Sequence, residues 1–129
     1  MGQLEKSRES CLLVAEDDSA NRNLLVKFLT MDGHCVLEAS DGAEAVELFR
    51  KNMDSISLCL IDLNLPKLDG FSCIREIRVL SATTPVFILT GENEEDLSDI
   101  PSEFASIPRF NKPFNWEALL RIIRDRINT

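Results

Sequence analysis

Residues 57–80 read Ser57-Leu58-Cys59-Leu60-Ile61-Asp62-Leu63-Asn64-Leu65-Pro66-Lys67-Leu68-Asp69-Gly70-Phe71-Ser72-Cys73-Ile74-Arg75-Glu76-Ile77-Arg78-Val79-Leu80. Ser57–Ile61 is a continuous apolar run rather than an alternating one, the pattern of a strand covered on both faces. It stops at an acid, Asp62, and passes through a segment holding Asn64, Pro66, Asp69 and Gly70. From Gly70 to Leu80 the period changes, and the spacing predicts a helix with Ile74, Ile77 and Leu80 turned inward. A doubly covered strand leading into an amphipathic helix is half of a parallel crossover, so the rest of the chain should supply more such units.

It does. Cys11–Ala15 and Pro85–Leu89 are further continuous apolar runs, Cys35–Leu37 is a shorter one, and Ile107–Phe110 takes the fifth place in the alternation. A helix is predicted over Ala20–Asp32, with Leu24, Leu25, Phe28 and Leu29 as its stripe, Ser19 as N-cap and Gly33 ending it. Asp41 followed by Glu44 has the look of a capping box before Ala45, Val46, Leu48 and Phe49. The last helix, Asn115–Ile127, carries Trp116, Leu119, Leu120, Ile123 and Ile127 on one stripe. Residues 93–106 are least regular: Glu94–Leu97 can start a helix that Pro101 should interrupt. The fold class expected is therefore α/β, a (βα)5 doubly wound fold on a five-stranded parallel sheet.

A chain of 129 residues with 44% hydrophobic residues makes one domain. Residues 1–9 are polar and charged, unlike a signal peptide, and are expected to be a flexible lead-in to a domain over 10–129. No apolar run approaches the ~18 residues of a membrane span, so a cytoplasmic location is expected, with no membrane partner. Cys11, Cys35, Cys59 and Cys73 lie among apolar residues without metal spacing and are expected to be buried, reduced thiols. The net charge of −8 disfavours nucleic acid. Six of the acids fall between Glu92 and Pro108, where there is no Lys or Arg.

In open parallel sheets ligands bind beyond the carboxyl ends of the strands. The residues there are Glu16-Asp17-Asp18, Asp62, Thr90 and Lys112, four strand ends meeting in one polar cluster. Acids after the first strand repel a bare phosphate but invite a hard cation such as Mg²⁺. Asp62 can attack phosphorus, with Lys112 and Thr90 able to engage the transferring group.

The set Glu16-Asp17, the D-x-x-x-P-x-x-D-G run from Asp62 to Gly70, Thr90, and Lys112-Pro113-Phe114 resembles the receiver domain of bacterial two-component response regulators, over about residues 10–128. The resemblance implies a flavodoxin-like strand order of 2-1-3-4-5. It implies that Asp62 is the phosphoacceptor, that Asp17, Glu16 and the Asn64 backbone carbonyl serve Mg²⁺ (Mn²⁺ substituting), and that Thr90 and Lys112 hold the phosphoryl group. It further implies a cis Lys112–Pro113 bond, a tuning role for Asn64 and Glu92, and a phosphohistidine donor on a sensor histidine kinase or histidine phosphotransfer protein. The chain would then be a signalling module rather than an enzyme, catalysing only its own phosphorylation and dephosphorylation.

One position departs from the pattern. Family members often carry Tyr or Phe three residues before the lysine; here it is Arg109, and Phe110 should point to the other face. Arg109 and Pro101 motivate a second reading, a degenerate receiver used as a static binding module. A Mg²⁺-dependent phosphatase is a third, weakened by Asn64 where a second acid would be wanted. The acids of 92–103 point to a monomer, or to a downstream partner with a basic surface. Simpler roles suit the remaining residues: a solvated Asp18 at a helix start, a surface His34, a packing Trp116, and a Gly91 that either leaves room for a donor or makes a tight turn.

Overall fold

The computed structural model describes residues 10–91 and 100–128. Its strands are β1 (Cys11–Ala15), β2 (Cys35–Ala39), β3 (Ile56–Asp62), β4 (Val86–Thr90) and β5 (Arg109–Asn111). The helices are α1 (Ser19–Met31), α2 (Gly42–Lys51), α3 (Gly70–Leu80) and α4 (Trp116–Ile127), with a 3₁₀ turn at Ser102–Phe104. All pairings are parallel and the order is β2-β1-β3-β4-β5, as the resemblance implied. The helix start expected at Glu94–Leu97, and Glu92, lie outside the described residues.

The continuous apolar runs follow from two cores, one on each face of the sheet. Leu13, Ala15, Cys59, Ile61, Val86 and Ile88 pack with Phe49 of α2 and Ile74 and Ile77 of α3. Their neighbours in sequence, Leu12, Val14, Leu58, Leu60, Phe87 and Leu89, pack with Leu25 and Leu29 of α1 and Leu119 and Ile123 of α4. Successive strand residues point to opposite faces, so the stretches of a central strand covered by both cores, such as Leu58–Ile61, are apolar throughout. Trp116 is a packing residue, stacked on Phe28 with ring centroids 4.3 Å apart.

Several expectations need correction. Asp18, not Ser19, caps α1: its carboxylate accepts from the Asn21 N–H at 2.9 Å, and the anion suits a helix N-terminus better than a hydroxyl. Leu24 falls off the buried stripe and is exposed. The capping box at α2 is displaced by one residue, since Glu44 Oε1 accepts from the N–H of Ser40 rather than of Asp41. His34 is half-buried, its Nε2 3.3 Å from Asp32 Oδ2. Cys11 and Cys35 are not free thiols: they stand opposite each other in the β1–β2 register, Cα atoms 4.5 Å apart, and form a disulfide. The expectation of buried thiols holds for Cys59 and Cys73.

Candidate functional site

The carboxyl ends of β1, β3, β4 and β5 carry the site. Glu16 directly follows β1, and its backbone N–H extends the sheet to Ala39 O at 3.0 Å. Glu16 and Asp62 are buried while Asp17 is exposed. One carboxylate oxygen from each of Glu16, Asp17 and Asp62 lies within 4.8 Å of the other two. Lys112 Nζ bridges the buried pair, 2.5 Å from Asp62 Oδ2 and 2.6 Å from Glu16 Oε1. The free side of Asp62, Oδ1, accepts from the Asn64 N–H at 2.8 Å. Glu16 Oε2 accepts from the Asp18 N–H at 3.0 Å.

The electrostatics follow from this crowding. Burial pushes the Glu16 carboxyl above its ordinary value; the Lys112 hydrogen bond offsets part of that and the Asp62 charge adds to it. Burial alone would lower the Lys112 ammonium, but its hydrogen bonds to Asp62 and Glu16 outweigh that and hold it above its usual value. The lysine is therefore a fixed cation between two acids. Oxygen donors on two different loops, one of them exposed, make a donor set that fits a hard divalent cation retaining some of its water.

Local structure explains why Asp62 is held where it is. Gly70, the first residue of α3, packs against the backbone just after the acid. A Cβ there would collide with the Asp62 carbonyl oxygen and lie 2.6 Å from Leu63 Cα. Its N–H donates to Leu63 O at 3.0 Å. Gly42 of α2 meets the same loop from the other side, donating to Pro66 O at 3.2 Å. Between them Lys67 takes φ of 68°, and Leu68 N–H bonds Pro66 O at 2.7 Å across it. A non-glycine residue there stores about 1–3 kcal/mol of strain, set against contacts from two helices.

Of the other expected residues, Thr90 is buried at the end of β4. Asn64 reaches the cluster through its backbone, with its residue exposed. Arg109 lies exposed on β5, while Phe110 turns to the opposite face against Phe87, centroids 5.1 Å apart. The Lys112–Pro113 bond is cis. Among the described residues, a Cβ on Gly91 would meet nothing within 4 Å.

Two residues escaped sequence reasoning. Arg22 folds back from α1 so that Nη1 donates to the carbonyls of Glu16 at 2.9 Å and Asp17 at 3.4 Å, while Nε reaches Glu38 at 3.3 Å. Asn111 accepts from the Thr90 hydroxyl at 2.6 Å. An arginine one turn into a helix that follows an acidic loop is the only sequence signal for the first. Nothing local signals the second.

Comparison with known proteins agrees with the geometry. The profile of the response regulator receiver domain matches residues 12–124. The autoinducer 1 sensor kinase/phosphatase LuxN of Vibrio campbellii is 31% identical over 91% of this chain and 13% of its own length. The transcriptional regulatory protein CpxR of Klebsiella pneumoniae is 34% identical over 88% of this chain and 47% of its own. The chain thus spans less than half the length of these curated relatives. A response regulator receiver domain protein from Clostridium thermocellum superposes with a TM-score of 0.82 at 30% identity, covering 92% of this chain and 94% of that one. With the profile spanning β1 to α4 and the acid, threonine and lysine of the motifs gathered at one sheet end, the chain belongs to the response regulator receiver domain family.

Proposed function

We propose that this domain takes a phosphoryl group from a phosphohistidine onto Asp62 and presents the change on its surface to a partner protein. The observation that carries the reading is the Lys112 ammonium clamped between Asp62 and Glu16. Asp62 Oδ attacks phosphorus, the P–N bond of the donor breaks, and the imidazole leaves with the nitrogen electron pair and takes up a proton. Lys112 stays with the new phosphoryl oxygens, neutralising charge as it builds, and the Thr90 hydroxyl donates to another of them. Asn64 N–H orients the nucleophile. Glu16, Asp17, Asp62 and the Asn64 carbonyl would hold Mg²⁺, which supplies electrostatic stabilisation of the transferring group. The acids beyond Thr90 fit a monomer that engages a basic partner surface.

Intact-mass measurement after incubation with acetyl phosphate tests this. A gain of one phosphoryl group that requires Mg²⁺ and vanishes in Asp62→Asn is expected. An unmodified, folded, Mg²⁺-replete protein that also refuses a phosphohistidine protein donor would contradict it and favour a static binding module.

A further inference from the structure

Arg22 lies one turn into α1, and its guanidinium turns back to the loop that carries two of the three acids. Nη1 donates to Glu16 O at 2.9 Å and, more weakly, to Asp17 O at 3.4 Å. The first carbonyl belongs to the planar peptide unit before the Asp17 Cα, the second to the unit after it. Fixing the planes on both sides of a Cα fixes its φ and ψ, and with them the direction in which the side chain leaves the backbone. Arg22 Nε donates to Glu38 Oε1 at 3.3 Å. Among the described residues β2 adds no acid to the cluster; through Glu38 it braces the guanidinium instead. The arginine side chain is 19% exposed, and its planar fork meets three acceptors at fixed angles, which an ammonium does not.

We infer that Arg22 is the positioning residue for Asp17, aiming its carboxylate at Glu16 and Asp62 to hold a divalent cation; this rests on the metal-holding part of the function proposed above. Glu16 and Asp62 are buried and share Lys112, so packing and the ammonium fix them. Asp17 is exposed, and its direction comes from the backbone. One of its carboxylate oxygens nevertheless lies within 4.8 Å of one from each of the other two acids. Because the guanidinium donates to carbonyls rather than to carboxylates, it orders the loop without taking the oxygens a cation needs. Two other roles for Arg22 make different demands. As a charge alone, a guanidinium beside three acids repels the cation they attract, and its removal would tighten binding. As a strut between α1 and β2 alone, it would add stability and leave binding unchanged. Positioning is the role in which its removal weakens binding.

Calorimetric titration of the full chain with Mg²⁺, without any phosphodonor, tests it. Arg22→Ala should weaken Mg²⁺ binding about 10-fold, the low end for losing a partner that orients a metal ligand. Glu38→Ala leaves the guanidinium unbraced and should weaken binding about 2- to 5-fold, the worth of one hydrogen bond, whereas Glu38→Gln keeps an acceptor for Nε and should weaken it less. With acetyl phosphate added, the loss in Arg22→Ala should appear in the Mg²⁺ concentration that half-saturates the phosphorylation rate, not in the rate at saturating Mg²⁺. Unchanged or tighter Mg²⁺ binding in folded Arg22→Ala would overturn the inference and leave the phosphoacceptor reading intact. Equal affinities for Glu38→Ala and Glu38→Gln would overturn it too, and that comparison decides alone if Arg22→Ala does not fold. A parent protein that binds no Mg²⁺ would overturn both the metal-holding role of the acids and this inference.

Discussion

Glu16 has no solvent exposure, shares its crevice with Asp62, and relies on Lys112 for compensation. Its raised carboxyl value, caused first by burial, means that ionising it at neutral pH works against the fold. Glu16→Gln keeps the volume and leaves Lys112 its Asp62 partner. We therefore expect the metal-free variant to melt at a higher temperature than the parent at pH 7, while calorimetry shows Mg²⁺ affinity reduced about 10- to 100-fold. A lower melting temperature would show that the Lys112 pair outweighs the burial cost. The two free thiols behave differently. Burial drives Cys59 well above the thiol range and Cys73 up to about 12, both from 9.0. Ionisation then happens first in the unfolded chain, so stability is intact below pH 9 and falls as pH rises toward 12, by about 1.4 kcal/mol per pH unit for each thiol. Chemical denaturation across that range checks the slope. Asp62 was legible in the sequence because it ends an apolar run, and Lys112 because it opens the Lys112-Pro113-Phe114 triplet; Arg22 was not, because the backbone carbonyls it binds have no sequence signature.

The loop from Leu63 to Asp69 is a short element held by two helix starts, Gly70 at Leu63 and Gly42 at Pro66, and its geometry sets the direction of Asp62. Gly70 is required by close approach rather than by conformation: a methyl there strikes the backbone of the acid itself. Gly70→Ala should cost about 1–3 kcal/mol in urea unfolding and slow phosphorylation of whatever fraction stays folded, because relief of the clash must shift β3 or α3. Unchanged stability would mean the helix start yields without cost. At this scale the sequence was readable wherever the signal is local. The Asp41 and Asn115 helix starts and the strands were found because capping side chains and apolar runs need only a few neighbouring residues. The N-cap of α1 slipped by one because two adjacent residues, Asp18 and Ser19, both qualify and only the observed bond to Asn21 decides.

In the whole molecule, what the sequence hides is which strands become neighbours at which register. The disulfide between Cys11 and Cys35 is of that kind, since pairing them requires β2 to lie beside β1 with those two residues opposite. It closes a loop of 24 residues, which in the chain-entropy account stabilises the fold by about 3 kcal/mol. Reduction, or Cys11→Ser, should lower the denaturation midpoint accordingly; no change would mean that the sheet alone holds this corner. The Thr90–Asn111 contact was hidden for the same reason, being set by the β4–β5 register. The order 2-1-3-4-5 came from family likeness and not from periodicity, which yields the alternation of elements but not their arrangement. That arrangement brings four strand ends to one crevice, with Asp62 at its centre. The most direct measurement is to phosphorylate the protein, trap the acyl phosphate with borohydride, and sequence the peptides by mass spectrometry. Homoserine at position 62 is the predicted result; conversion at Asp17 or Glu16 instead, with Asp62 unaltered, would contradict it.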